Sequence, residues 1–373
     1  MHPELSRRKL LLLAALGGLS MRGLALAPTP SRPPDRAPSH GHLKRFVPHI
    51  RTPRADERKI IEQRKRVQHR IIRHIERANL RLARTPNGGS YAKRTALRRY
   101  MQGRTKIGGS DIDLPFVLTA RSGEQLELRA LLELFEGFVR KSYPRSKVVR
   151  TKSSVKLTFS SFKYPFDIVP MVAVPSDRKR EYLFRGDGTK VPTSISAHVK
   201  FCKQRTAASA KAPGIVRFND MVRLLKWWSQ LRAAGDELLP ELPTFVLELL
   251  CAKAFDELGV GPSYTQTLLT WFELIGAITR ERRSVRFDGQ GAPDSGRWAV
   301  IDPVTSSNNV VPSSWGDAQI DRLALWFEDA AATMRQVEQR DRWDDGKGAL
   351  RELERLFGPA IGRLELLELE PPC

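Results

Sequence analysis

The chain has 373 residues, 41% of them hydrophobic, which places it among ordinary globular chains able to bury one large core or two lobes. Its formal net charge of +22 is not ordinary and points to phosphate-bearing partners (nucleotides, nucleic acid or an anionic surface), the plain alternative being an Arg-rich proteome. Cys202, Cys251 and Cys373 are too few and scattered for a disulfide framework, and no Cys/His cluster has zinc spacing, so a disulfide-stapled scaffold and a structural zinc module are both excluded.

In chain order, the first segment is SRRKLLLLAALGGLSMRGLALAPTP. Paired Arg7 and Arg8, a leucine-rich run and Ala25-Leu26-Ala27 before Pro28 read as a secretory signal, even a twin-arginine one. The run is broken by Arg22 and is shorter than the ~20 residues of a membrane span. A start assigned too early, with Met21 or a later residue as the true beginning, explains it equally. Residues 28–42, rich in Pro and Ser, are expected to be disordered, so 1–42 is set aside as a signal-like or disordered tail.

From Arg54 to Ala83 the apolar positions Ile60, Ile61, Val67, Ile71, Ile72, Ile75, Leu80 and Leu82 predict a long amphipathic helix whose other faces carry Arg and Lys. Thr85-Pro86-Asn87-Gly88-Gly89 ends it. SDIDLPFVL (110–118) predicts a strand, and 124–142 a helix with Leu128, Leu131, Leu132, Phe135 and Val139 on one side. Residues 147–159 alternate as β structure, and YPFDIVPMVAV (164–174) predicts another strand. Beyond Ser194 the pattern turns helical, with helices over 217–234, 244–258, 319–339 and 348–357, and an extended piece and loop over 297–311. The expected architecture is α+β: a catalytic core over 43–195 made of a mixed sheet with helices, a helical lobe over 196–360, a tail over 361–373, and an active surface between the lobes.

The chemistry concentrates in NGGSYAKRTALRRYMQGRTKIGGSDIDLPFVL (87–118). On a strand, residues i and i+2 share a face, so Asp111 and Asp113 project together, with Cα atoms roughly 6.6 Å apart. Like charges so placed repel unless a cation neutralises them. Two Mg²⁺ ions (or Mn²⁺) about 3.5–4 Å apart and shared with triphosphate oxygens suit them. Asp167, a lone acid on an apolar strand, is the candidate third ligand. Gly88 and Gly89 permit close backbone approach to a phosphate, Ser90 offers its N–H and hydroxyl, and Lys93, Arg94, Arg98 and Arg99 can balance phosphate charge. Each fragment alone is common: a D-x-D pair, a Gly-Ser turn, a single strand acid. The ordered set of helix, Gly-Ser turn, D-h-D strand and h-D-h strand describes a phosphate clamp facing a metal triad.

GGSYAKRTAL, SDIDL and FDIVPM together resemble the polymerase β-type nucleotidyltransferase fold, and more narrowly the oligoadenylate synthetase, cyclic GMP-AMP synthase and bacterial CD-NTase group. The resemblance covers about residues 55–358. It implies a polymerase β-like core with a helical C-terminal lobe. It also implies a donor-triphosphate clamp at Gly89 and Ser90 and two-metal ligation and catalysis by Asp111, Asp113 and Asp167. VRLLKWWSQL resembles the family helix whose lysine contacts the triphosphate, here Lys226. LPTFVLELL resembles the Ser-Tyr helix start that touches phosphate and stacks on the donor base, here the departures Thr244 and Phe245. VIDPVTSSNNVV resembles the family's DP…N segment, with Asp302, Pro303, Asn308 and Asn309. The interval from Ser90 to Asp111 is longer than the commonest polymerase β spacing, as suits the cyclase branch, and RRYMQGRTK is expected as an extra loop. On residue type alone, Trp227 and Trp228 read as core, Lys226 as a solvated helix lysine, Phe245 as core and Asn308-Asn309 as a turn; His198 carries no triad or ligand spacing.

The function this implies is joining of NTPs, ATP or GTP, into a cyclic or short linear oligonucleotide second messenger with release of pyrophosphate, in antiphage defence. An RNA 3′-end nucleotidyltransferase of poly(A) or CCA type, and a non-catalytic nucleic-acid-binding protein, are the alternatives. Animal relatives are switched on by double-stranded nucleic acid along a basic helix, which makes the helix over 54–83 a candidate activator surface, against a merely solvated helix face. NTPs are cytoplasmic, so the expected location is the cytoplasm, with export by the signal-like segment as the alternative and no stable membrane span.

Overall fold

A computed structural model of the chain describes residues 33–102, 105–109, 111–120, 126–184, 190–287 and 297–369. Most of the signal-like tail, residues 1–32, lies outside the described residues. No helix among the described residues is long and apolar enough to cross a membrane.

The disorder expected over 28–42 is not found over 33–42: Pro34–Arg36 form a 3₁₀ turn and a helix follows, while 28–32 lie outside the described residues. Helix α1, Pro38–Ile50, places Leu43, Phe46, Val47 and Ile50 in helical spacing, each buried to 1% exposure or less. Ser39 and His40 are buried too: the Ser39 amide donates to Asp341, and His40 Nδ1 accepts from the Tyr264 amide. The prolines and histidines interspersed among these positions hide this short stripe from a composition argument. Helix α2, Arg54–Arg77, buries Ile60, Val67, Ile71 and Ile75. It stops earlier than expected, because Asn79 takes φ 56° and breaks the helix. Leu80 and Leu82 are two residues apart, a strand interval, and Leu82 lies in β1, Arg81–Arg84.

The main sheet runs β1–β4–β7–β6–β5, where β4 is Ile112–Thr119, β5 Lys147–Arg150, β6 Val155–Thr158 and β7 Phe166–Val174. Strands β8 (Asp177–Phe184) and β9 (Lys190–Thr193) extend from β7. Strands β4 and β7 are parallel, and β1–β4, β5–β6, β6–β7, β7–β8 and β8–β9 are antiparallel. Helix α2 and α4 (Leu128–Ser142) cover the sheet through Phe135, Phe138 and Val139, forming one hydrophobic core with Ile112, Leu114 and Phe116.

A second core belongs to α5 (Ile195–Ser209), α6 (Phe218–Ala233), α7 (Thr244–Leu258), α8 (Tyr264–Arg280), α9 (Asp317–Arg342), α10 (Gly346–Phe357) and α11 (Ala360–Leu369). Trp227 and Trp228 are buried in it, as their type suggests. Two pieces expected in the catalytic core join this second core instead. One is α1, whose Phe46 meets Trp227 edge-on at 5.6 Å and Phe357 at 5.7 Å. The other is a hairpin of β2 (Arg99–Gln102) and β3 (Thr105–Gly108), which stands where an extra loop was expected and buries Ile107 there. Residues 360–369 form α11 rather than a tail.

Candidate active site

Between the two cores lies a cleft of about 1580 Å³, walled by Gly89, Ser90, Asp111 and Asp113 from one side and by Lys226 and Phe245 from the other. Helix α3, Gly89–Lys93, begins at the Gly-Ser turn. Gly89 has φ +70°, and a Cβ there would stand 1.7 Å from Asp113 Oδ2. The turn and the acid strand are thus so close that only glycine fits between them.

The parallel register sets Asp113 directly beside Asp167. Adjacent strands are about 4.8 Å apart, so the two carboxylates leave the sheet from one face as neighbours. Asp111, just ahead of β4, accepts from Lys156 Nζ at 2.5 Å. Asp167 accepts from Ser154 Oγ at 3.2 Å and lies opposite Lys156 in the β6–β7 register. Burial, then the charge of Asp167, pushes the Asp113 carboxyl up to about 6, although Lys93 and Lys226 pull the other way. Burial raises Asp167 as well, with Lys156 opposing and Asp111 adding to the rise. As they stand, no three acidic, His or Cys side chains among the described residues form a finished chelate. Lys156 and Ser154 occupy oxygens that an ion would need. The donor set is nevertheless all carboxylate oxygen, which suits a hard divalent cation, and the raised acids mark a place short of positive charge.

Opposite the acids, Lys226 is buried rather than solvated. Its Nζ donates to Glu248 Oε1 at 2.6 Å and to Thr95 Oγ1 at 3.2 Å. Lys93 Nζ donates to the other Glu248 oxygen at 2.6 Å. Burial alone would raise Glu248, but the ammoniums of Lys226 and Lys93 hold it well below the usual carboxylate range. Thr244 opens α7 at the cleft and is exposed, while Phe245 is half-buried with Lys93 5.1 Å from its ring centre. His198 meets the Phe245 ring edge-on at 5.1 Å and is paired with Asp302 Oδ1 at 2.7 Å. Asn309 reaches the cleft wall, yet its carboxamide serves the backbone: Oδ1 accepts from Val300 and Val311, and Nδ2 donates to the Trp298 carbonyl.

The structure therefore gathers Gly89, Ser90, Asp111, Asp113, Lys226, Thr244, Phe245 and Asn309 on one cleft, with Asp167 beside Asp113 just off its wall. Sequence reasoning passed over Glu248 and His198. Glu248 follows Thr244 by one helical turn, so its place on the same face of α7 was readable; His198 gave no such signal.

The chain is similar to several known proteins. Residues 39–187 match the Second Messenger Oligonucleotide or Dinucleotide Synthetase domain. The cyclic AMP-AMP-AMP synthase of Escherichia coli (strain MS 115-1) is 28% identical over 282 residues, 73% of this chain and 83% of that protein. The solved E. coli MS115-1 CdnC in complex with HORMA-deltaN superposes with a TM-score of 0.70 at 25% identity, covering 86% of this chain and 97% of that one. The Bradyrhizobium diazoefficiens CD-NTase CdnG in complex with GTP shares the fold, with a TM-score of 0.61 at 17% identity over 87% of this chain and 99% of that one. The polymerase β-like core with its helical lobe, the matched synthetase domain and these relatives together make the chain similar to the CD-NTases, nucleotidyltransferases that make cyclic oligonucleotide second messengers.

Proposed function

We propose that this cleft joins ATP into a cyclic oligonucleotide, with a cyclic triadenylate as the first product to seek, acting as an antiphage signal. The observation that carries the reading is the in-register pair Asp113–Asp167 facing the Gly89–Ser90 turn across a gap that admits no side chain. The adenine preference takes its support from the relative named cyclic AMP-AMP-AMP synthase.

Asp111, Asp113 and Asp167 would hold a pair of divalent ions. When bound, such ions supply charge neutralisation and Lewis acidity to the phosphates. The chain's own residues do the rest. Ser90 and the α3 backbone grip the triphosphate tail, Lys226 adds a cation, Thr244 offers a hydroxyl and Phe245 a face for the donor base. Asp167 is placed to accept the proton of the attacking ribose hydroxyl at a carboxylate oxygen. Asn309 shapes the wall through its backbone bonds. Incubation with Mg²⁺ and four labelled NTPs, followed by product identification, tests this reading. Cyclic oligoadenylate is expected, and Asp111→Asn with Asp113→Asn should yield none. A 3′-extended RNA product, or undiminished synthesis by the double variant, would overturn it.

We propose further that an activating nucleic-acid duplex binds along α2, and a cluster of cations supports this reading. Arg70, Arg73, His74 and Arg77 of α2 surround a hollow of about 230 Å³ with Lys141 and Ser142. Cations gathered like this suit the phosphates of a nucleic-acid duplex. Binding of duplex DNA or RNA that weakens steeply with salt is the expected result, and no binding at low salt ends the idea. With NTPs as substrates, the place of action is the cytoplasm, and the native N-terminal mass tests that against export.

A further inference from the structure

Two ammonium groups share one buried carboxylate where the lobes meet. Lys93 ends α3 in the catalytic lobe, Lys226 lies on α6 and Glu248 on α7 in the helical lobe. Their side chains are 11%, 4% and 5% exposed. Both Glu248 oxygens are taken, one by Lys93 and one by Lys226, and Thr95 Oγ1 donates to the latter oxygen at 3.0 Å.

A pair of opposite charges buried alone cancels. Two lysines on one glutamate do not; they leave a formal excess of one positive charge. Each ammonium has three N–H donors. Among the described residues Lys93 spends one on Glu248, and Lys226 spends two, on Glu248 and Thr95, so three remain. All three charged side chains line the cleft beside Ser90 and Asp113.

We propose that Glu248 is a positioning residue: it holds Lys93 and Lys226, from opposite lobes, as a preorganised pair of ligands for the phosphate chain of the bound nucleotide. This rests on the reading of the cleft as a triphosphate site. Glu248 touches no substrate itself. It fixes two flexible four-carbon stems in advance, so that their ordering is not charged to nucleotide binding, and it joins the lobes at the point where the phosphates lie.

The test is binding of inorganic tripolyphosphate and of adenosine, each to the full chain, measured by calorimetry. Glu248→Gln keeps the shape of the side chain and removes its charge. It should weaken tripolyphosphate by about tenfold or more, the scale of one charge-assisted hydrogen bond, and leave adenosine unchanged. Lys93→Gln with Glu248→Gln retains the net charge of the wild-type trio but only one lysine. If Glu248 merely balances charge, that double variant binds tripolyphosphate like wild type and the proposal falls; if it positions a pair, binding stays weak. Should Glu248→Gln not fold, the double variant decides by the same criterion. Wild-type protein that binds no tripolyphosphate sinks the triphosphate reading itself. Wild-type binding matched by Glu248→Gln sinks only the role of Glu248.

Discussion

Asp113→Asn should make the metal-free protein inactive and more stable at once. The carboxyl moves from an ordinary 3.8 to about 6 on folding, a rise of about 2 units. At 1.36 kcal/mol per unit this is ~3 kcal/mol of penalty for holding the ionised acid in the fold. The sign follows from the raised value. Below the ordinary pKa the group is protonated in both states and costs nothing. As pH climbs from about 4 through about 6, the folded protein loses this proton-linked stability, and above that the full penalty applies. An asparagine escapes it. In EDTA at pH 8, thermal unfolding of the variant should therefore lie above wild type by on the order of 5 °C, and the two curves should converge near pH 4. Adding Mg²⁺ should raise the wild-type midpoint, through binding to the folded state, and leave the variant nearly where it was. A variant no more stable than wild type at pH 8 would refute the claim that Asp113 is a strained acid awaiting a cation.

Gly89→Ala puts a methyl group 1.7 Å from Asp113 Oδ2 at a φ of +70°, so it should abolish synthesis and lower the melting temperature, read by product formation and thermal unfolding. Phe245→Ala should raise the KM for ATP about tenfold if a base stacks there at ~1–3 kcal/mol, with tripolyphosphate binding unchanged as the control. Asp302 is buried, which by itself raises its carboxyl, but the His198 ring and the Val304 amide bring it below its ordinary value. Asp302→Asn should cost ~1–3 kcal/mol in denaturant unfolding at pH 7, a difference that shrinks as pH falls through the native value of Asp302 and wild type loses the same contribution. Arg70→Glu, Arg73→Glu and Arg77→Glu together should remove salt-sensitive duplex binding in a gel-shift assay while leaving basal synthesis intact.

Much of the catalytic side was legible because its chemistry is carried by short-range spacing. A two-residue step between like side chains on a strand, a Gly-Ser turn and a lone acid on an apolar segment are local patterns, and they describe neighbours once the sheet forms. The helical lobe was legible as helices but not as an arrangement. Lys226 read as solvated because its partner is Glu248, 22 residues away on another helix, and no periodicity announces a salt link across helices. Asn309 looked like a ligand from its motif, yet its carboxamide closes a bridge between Val300, Val311 and Trp298. Helix α1 was missed for a different reason: its four core residues obey helical spacing, but the Pro-Ser run before them dominates any composition average.

That first helix alters how the two halves can move. Because α1 is packed among α6, α8 and α10, the catalytic half is an insertion, entered past Thr52-Pro53 and left at Ser194. The β2–β3 hairpin leaves that half again to pack in the helical core, so the chain crosses the seam four times rather than once. A single linker permits swivelling in any direction; several pins spread along a seam leave little freedom to swivel. Opening and shutting around nucleotide is accordingly confined to small adjustments, and cutting the chain between α1 and α2 should free a wobble that catalysis at the seam cannot tolerate.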